Sequence, residues 1–475
     1  MFFGRQDQLN ELTLLWSKSV SSLVTCRGRR RIGKSTLIRQ FAELSNARFI
    51  KIEGLKPRKE YGNEDELRTF ASQLAAQTGC ERTPPEDWLN AFIRLGRELR
   101  PGEKTVVLLD EISWLGYYDP TFADTIKIAW DNYWKVHDRL VVVLCGSVSS
   151  WIRENIIDNG EFVGRRSLDI VVNELPLSDC VRFWGANADR ISPTEILDVL
   201  SVTGGVPRYL EEVSPGLSAA ENIRRLCFSP KGVLREDFDD MFNDVITNQP
   251  RFTCDVLKTL VGGRLNITEI AAALKIEKGG RLTAALKRLE ESGFVACDGA
   301  RDPSSGELIR EKSYRLKDNY SRFYLKYVEP SKDSIDGGAY DFGSLERLDG
   351  WDGIMGLAFE NLVVNNFKSL IPMLHLSGAL ITSAAPFRKA GRKGDGLQID
   401  LLLQSKRFAY IVEIKRRREI GREVMDEVEQ KRRRLAVARG MSTRTALVYD
   451  GHLAPSVEAE GYFDAIIPYR QLLYS

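Results

Sequence analysis

Gly28-Arg29-Arg30-Arg31-Ile32-Gly33-Lys34-Ser35 sits between an apolar run, Leu23 to Cys26, and a helical run, Thr36 to Glu43. That placement constrains the chain more than any other feature. Glycines at both ends of the loop let successive main-chain N–H groups turn inward, and the following helix adds the positive end of its dipole. Such a loop is presented where a buried strand crosses into a helix, so it calls for a parallel sheet. Ser22–Cys26, Arg48–Glu53, Thr105–Asp110 and Leu140–Gly146 read as buried strands with amphipathic helices between them, giving an α/β fold over the first 170 or so residues.

The chemistry of the loop is phosphate chemistry. Gly28, Arg29, Arg30, Arg31, Ile32, Gly33, Lys34, Ser35 and Thr36 would surround a nucleotide's phosphates, with Lys34 on the β and γ oxygens and the Ser35 hydroxyl on Mg²⁺. Some 75 residues on, the strand Val106–Leu109 delivers Asp110 and Glu111. Asp110 would complete the Mg²⁺ shell, and Glu111 would orient and deprotonate water. ATP and Mg²⁺ are the expected cofactors.

The chain here resembles the AAA+-like ATPases common in archaea and also found in bacteria, related to the STAND signalling ATPases. The likeness rests on Phe3-Gly4-Arg5, the phosphate loop, Leu109-Asp110-Glu111, Leu144-Cys145-Gly146-Ser147 and Gly204-Gly205-Val206-Pro207-Arg208-Tyr209. By that resemblance Ser147 reads the γ-phosphate, and Phe3, Arg5 and Pro207 lie near the adenine. Gly164-Arg165-Arg166 falls where relatives carry an arginine that stabilises transition-state charge. Arg165 in that role implies an ATP-dependent homo-oligomer; otherwise the pair is solvated or binds DNA.

The chain divides on sequence into an AAA+-like core (1–172), a helical lid (173–248), a winged helix-turn-helix (249–330), a linker (331–350) and a C-terminal mixed α/β domain (351–475). Ile267–Leu274 and Gly280–Glu291 have helical spacing around a turn through Lys275–Gly279. A hairpin then runs from Gly293-Phe294-Val295 to Tyr314-Arg315-Leu316. This resembles a winged helix, with Arg281, Lys287, Arg288, Lys275 and Lys278 facing DNA, or a module that holds a protein partner.

In the last domain Gln398-Ile399-Asp400, a turn at Gln404–Arg407, and Glu413-Ile414-Lys415 read as a hairpin with Asp400 beside Glu413 and Lys415. Two carboxylates and a lysine suit oxygen-ligand metal hydrolysis. The arrangement resembles the PD-(D/E)xK nuclease fold, and by that resemblance Glu360, in Gly356-Leu357-Ala358-Phe359-Glu360, joins the metal site. Between Pro386 and Arg439, 16 Lys or Arg face 8 Asp or Glu. Within that stretch Lys415–Arg418 and Lys431–Arg434 are solvated helix faces or phosphate-neutralising patches.

Seven scattered cysteines without a C-x-x-C pair, and only His137, His375 and His452, suggest neither a disulfide framework nor a zinc site. No apolar run approaches the roughly 18 to 20 residues of a membrane span, so the expected location is cytoplasmic. The expected function is an ATP-hydrolysing switch coupled to a DNA-binding, DNA-cleaving domain. The alternatives are a nucleotide-gated DNA-binding regulator with an inactive nuclease fold, and an ATP-dependent protein-interaction scaffold.

Overall fold

The computed structural model describes residues 2–18, 20–147, 149–246, 249–340, 343–389 and 396–474. The chain forms two compact units, Met1–Glu174 and Leu175–Ser475.

The first unit runs α1 (Gln6–Leu15), β1 (Ser22–Arg27), α2 (Lys34–Leu44), β2 (Arg48–Glu53), α3 (Asn63–Thr78), α4 (Trp88–Arg97), β3 (Thr105–Asp110), α5 (Ile112–Leu115), α6 (Phe122–Ala129), β4 (Leu140–Gly146) and β5 (Arg166–Val171). Its sheet has the order β2-β3-β4-β1-β5, and all pairings are parallel. Both faces are covered by helices, which is why β3 and β4 are buried at every position and read as unbroken apolar runs. The core on one side gathers Phe70, Trp88, Phe92, Phe122 and Trp134 around Leu109 and Leu144. Because β4 lies between β1 and β3, the carboxyl ends of three adjacent strands carry the phosphate loop, Ser147 and the Asp110-Glu111 pair to one edge. This is an α/β P-loop NTPase fold.

The second unit begins with helices, among them Pro193–Thr203, Ala219–Cys227 and Val233–Val245. A small module follows: helix Pro250–Thr259, β6 (Leu265–Asn266), helix Ile267–Ala273, helix Gly280–Glu291, β7 (Val295–Asp298) and β8 (Ser313–Leu316). Its three strands form an antiparallel sheet in the order β6-β8-β7. Asn266 caps the helix that follows it through the N–H groups of Thr268 and Glu269, while Glu269 reaches back to the Asn266 N–H, so two residues fix where this helix starts.

The mixed C-terminal sheet comprises β9 (Ser383–Lys389), β10 (Leu397–Gln404), β11 (Phe408–Ile420), β12 (Ser442–Leu453) and β13 (Ala465–Pro468), in the order β13-β12-β11-β10-β9. β9 to β11 pair antiparallel, and β11 to β13 pair parallel. One face of this sheet shares a core with the first helices of the unit: Leu177, Trp184, Ile196 and Leu200 pack with Phe359, Leu401, Tyr410, Val412 and Tyr469. The stretch read as a linker contains a short helix, Lys332–Asp336, and buried Ile335 and Leu345.

Candidate functional site

The phosphate loop departs from β1 at Gly28, whose φ of +153° suits glycine, and a Cβ there would stand 2.3 Å from the Val172 carbonyl oxygen. Arg31 and Gly33 also adopt positive φ, at 65° and 86°, which turns the loop back on itself before α2 begins at Lys34. Lys34 is buried, and its ammonium donates to the carbonyls of Gly28 and Arg29 at 3.0 Å each. Ile32 is buried beneath the loop, and Arg5 donates to its carbonyl at 3.1 Å, so the Phe3–Arg5 segment is tied to the phosphate loop through this bond. Thr36 is exposed in the first turn of α2.

Ser35 Oγ donates to Asp110 Oδ2 at 2.6 Å. A hydroxyl and a carboxylate converging at one point are the oxygen donors a magnesium ion takes beside a phosphate, so these residues fit the ion. Glu111 follows in the left-handed region at φ 47°, a conformation that costs about 1 kcal/mol or more for a non-glycine residue and here aims the carboxylate. Ser147, at the end of β4, donates through Oγ to Glu111 Oε2 at 2.8 Å. Residues 35, 110, 111 and 147 thus form two hydrogen-bonded pairs at the strand ends.

Sequence reasoning missed Lys51. Its ammonium lies 3.0 Å from Asp110 Oδ2 and 2.7 Å from Glu53 Oε2. Burial works against its charge, but Glu53 and Asp110 outweigh that and raise its pKa. The signal was available: a lysine at the centre of the strand Arg-Phe-Ile-Lys-Ile-Glu requires a carboxylate.

Arg165 is engaged within its own unit. Its guanidinium donates to Asp131 through Nε at 3.0 and 3.1 Å and through Nη2 at 2.7 Å, and to the Glu161 carbonyl at 2.6 Å. The same bonds pull the Asp131 pKa down. Pro207 belongs to the second unit, where it opens the short helix Pro207–Leu210; the Gly205 carbonyl before it accepts from the Leu175 N–H at 2.8 Å.

The C-terminal hairpin has the expected register, with Leu401 opposite Val412. Asp400 Oδ2 accepts from the Ile414 N–H at 2.9 Å. Glu413 is fully buried, with Lys415 Nζ 2.8 Å from Oε1 and Lys431 Nζ 2.5 Å from Oε2. Burial and the neighbouring Asp400 raise the Glu413 pKa, and the two lysines oppose that rise. Lys415 also pairs with Glu427 at 2.7 Å. Glu360 pairs instead with Arg264, which also donates to the Asp400 carbonyl at 3.4 Å; burial lowers the Arg264 pKa to about 10.

Among the described residues no group of three or more His, Cys, Asp or Glu side chains could hold a metal ion. In the C-terminal cluster Glu360 is held by an arginine, and an ammonium faces each oxygen of Glu413. Lys431 and Arg264 were missed as members of this cluster. Glu427 and Lys431, four apart on helix Glu423–Arg434, were the legible sign of a polar face turned toward β11.

The basic runs beside the site are largely engaged. Arg416 pairs with Asp198 and Asp450, and Arg432 and Arg433 with Glu429. Arg392 and Lys393 lie outside the described residues. In the small module Lys275, Lys278, Arg281 and Lys287 are exposed and Arg288 is half-buried. Arg281 is held over the Phe252 ring at 3.8 Å and donates to Gln249 at 2.7 Å. The turn between β7 and β8 is fastened to the C-terminal sheet by Gln404 donating to the Arg301 carbonyl at 2.8 Å and by a Lys389–Asp302 pair at 3.0 Å. No helix among the described residues is long and apolar enough to cross a membrane.

Comparison with known proteins adds three findings. The chain is 22% identical over 423 residues to an uncharacterized protein of Methanocaldococcus jannaschii, covering 87% of each. Its structure aligns with the Walker-type ATPase PABY2304 of Pyrococcus abyssi at 18% identity and a TM-score of 0.49, over 68% of this chain and 96% of that one. It aligns with the ORC2 protein of Aeropyrum pernix, in its ADPNP–ADP complexes, at 14% identity and a TM-score of 0.43, over 70% and 94%. Residues 2–213, from the Phe3–Arg5 segment through the Gly-Gly-Val-Pro turn, match the model of an ATPase domain found predominantly in Archaea.

Proposed function

We propose that the chain is an ATP-hydrolysing switch whose second unit holds DNA. The observation that carries the reading is the pairing of Ser35 with Asp110 and of Glu111 with Ser147 at the carboxyl ends of adjacent strands. Lys34 exchanges its two loop carbonyls for β and γ phosphate oxygens and offsets their charge. Ser35 and Asp110 would hold Mg²⁺, which would supply positive charge against the phosphates when bound. Glu111 takes the proton of the attacking water, and Ser147 orients that carboxylate through its hydroxyl. Arg165 would act on a neighbouring copy's nucleotide after releasing Asp131, which makes hydrolysis dependent on ATP-driven assembly. Phe3 and Arg5 are assigned to the adenine.

The small module supports the DNA reading through its order, helix, strand, helix, helix, strand, strand, which is that of a winged helix. Exposed Lys275 and Lys278 precede its third helix, Gly280–Glu291, and exposed Lys287 lies on that helix. Because the wing turn is fastened to the C-terminal sheet, the helix is the reading element. The two lysines on Glu413 and the arginine on Glu360 favour a C-terminal domain that binds without cutting. ATP turnover lost in Lys34→Ala and Glu111→Gln, with nucleotide binding kept only in the second, is the expected result. Turnover surviving Glu111→Gln would refute the assignment. Metal-dependent nicking of supercoiled DNA, abolished by Glu413→Ala, would overturn the non-cutting reading.

A further inference from the structure

A second surface of the first unit has no part in the reading above. The loop after β2, residues 54–62, reads Gly-Leu-Lys-Pro-Arg-Lys-Glu-Tyr-Gly, and Lys56, Arg58 and Lys59 are exposed on it, with Glu60 as its acid. The uncharged segment 112–118 after Glu111 brings three aromatic residues, Trp114, Tyr117 and Tyr118.

The two segments are built into one surface. Gly54 donates to the Asp110 carbonyl at 3.1 Å, and a Cβ on it would stand 2.7 Å from the Leu115 nitrogen, so the loop must leave β2 pressed against α5. The Tyr118 hydroxyl donates to the Arg58 carbonyl at 2.7 Å and accepts from the Arg58 N–H at 3.0 Å, closing the loop onto the aromatic segment. The Arg58 guanidinium lies over the Tyr61 ring at 5.5 Å, and Arg30 of the phosphate loop lies over Trp114 at 5.3 Å. Tyr117 packs edge-on against Tyr118 and is 61% exposed.

Tyr117 thus presents most of its ring to solvent with one edge set against Tyr118. Lysines and arginines alternating with such rings form the pairing that single-stranded nucleic acid uses: cations track the phosphates while unstacked bases lie on aromatic faces. Duplex DNA offers no free base face, so a single strand is the form of nucleic acid that engages both the cations and the rings of this surface. We infer that the surface of Lys56, Arg58, Lys59, Tyr61 and Tyr117 binds single-stranded nucleic acid, with a base stacked on Tyr117. The inference does not rest on hydrolysis and is tested without nucleotide.

The test is fluorescence anisotropy of the full-length protein with labelled oligo(dT) over a salt series. Tyr117→Ala should weaken binding roughly tenfold, and Tyr117→Phe, which keeps the ring, should restore it. Replacing Lys56, Arg58 and Lys59 together by Ala should lower the slope of log affinity against log salt by about 2. All variants alter exposed side chains, so unfolding temperatures should match the wild type. Two results would overturn the inference: oligo(dT) binding unchanged in Tyr117→Ala and the triple variant, or polyglutamate displacing oligo(dT) as well as unlabelled oligo(dT) does while Tyr117→Ala is without effect. The second outcome would assign the surface to an acidic protein.

Discussion

At the scale of single residues, the site works by holding side chains where solvent would leave them loose. Ser147 is the clearest case, since its hydroxyl fixes Glu111 through one 2.8 Å hydrogen bond. Ser147→Ala should lower kcat about tenfold or more with little change in KM, because it disturbs orientation rather than binding; steady-state ATPase assays give both numbers. Glu66 gives a pH prediction. It is buried beneath the basic loop, accepts the Leu55 N–H at 3.1 Å, and burial pushes its pKa up to about 7. The folded chain therefore holds this proton more tightly than the unfolded chain. The contribution is most favourable below about pH 4 and is lost as pH rises toward 7, a change of at most about 3 kcal/mol. Glu66→Gln keeps the acceptor and removes the charge, so it should raise the unfolding temperature at pH 8 and flatten the slope between pH 5 and 7. The phosphate loop, Asp110 and Glu111 were legible in the sequence because their roles are set by local spacing. The partners of Lys51, Lys431 and Arg264 were not, since each reaches across strands or modules that only folding brings together.

At the scale of elements, register decides which substitutions the fold can accept. Gly451 in β12 has φ +134°, and a Cβ there would fall 1.7 Å from the Arg417 carbonyl oxygen, where the β11–β12 pairing shifts between Arg416 and Glu419. Gly451→Ala should cost about 3 kcal/mol or more and lower the unfolding temperature of the second unit, as thermal denaturation would show; wild-type stability in this variant would contradict the observed pairing. Four of the five strands of the first unit were readable to within a residue, β3 and β4 because strands buried on both faces carry continuous apolar runs, whereas the edge strand β5 is largely uncovered and carries no such run. The helices Ile267–Ala273 and Gly280–Glu291 were readable from their spacing. The apolar faces of the helices before residue 246 were also visible. Their partner, the C-terminal sheet, was not, because an amphipathic pattern says that a face is covered and not by what.

At the scale of the whole molecule, the two units should respond differently to ligand. Calorimetry with ATP and Mg²⁺ should raise the unfolding of the unit holding the phosphate loop, by about 2.7 kcal/mol at a hundredfold excess over Kd, and Lys34→Ala should remove that shift. The helices after Leu175 should unfold together with the C-terminal sheet, because they share one core. The attachment of Lys34 to the carbonyls of Gly28 and Arg29 sets a threshold for what the loop accepts. An incoming ligand has to draw the ammonium off two good acceptors. The resting loop therefore already has its lysine occupied, and phosphate binding there is an exchange of partners rather than the filling of an empty cradle.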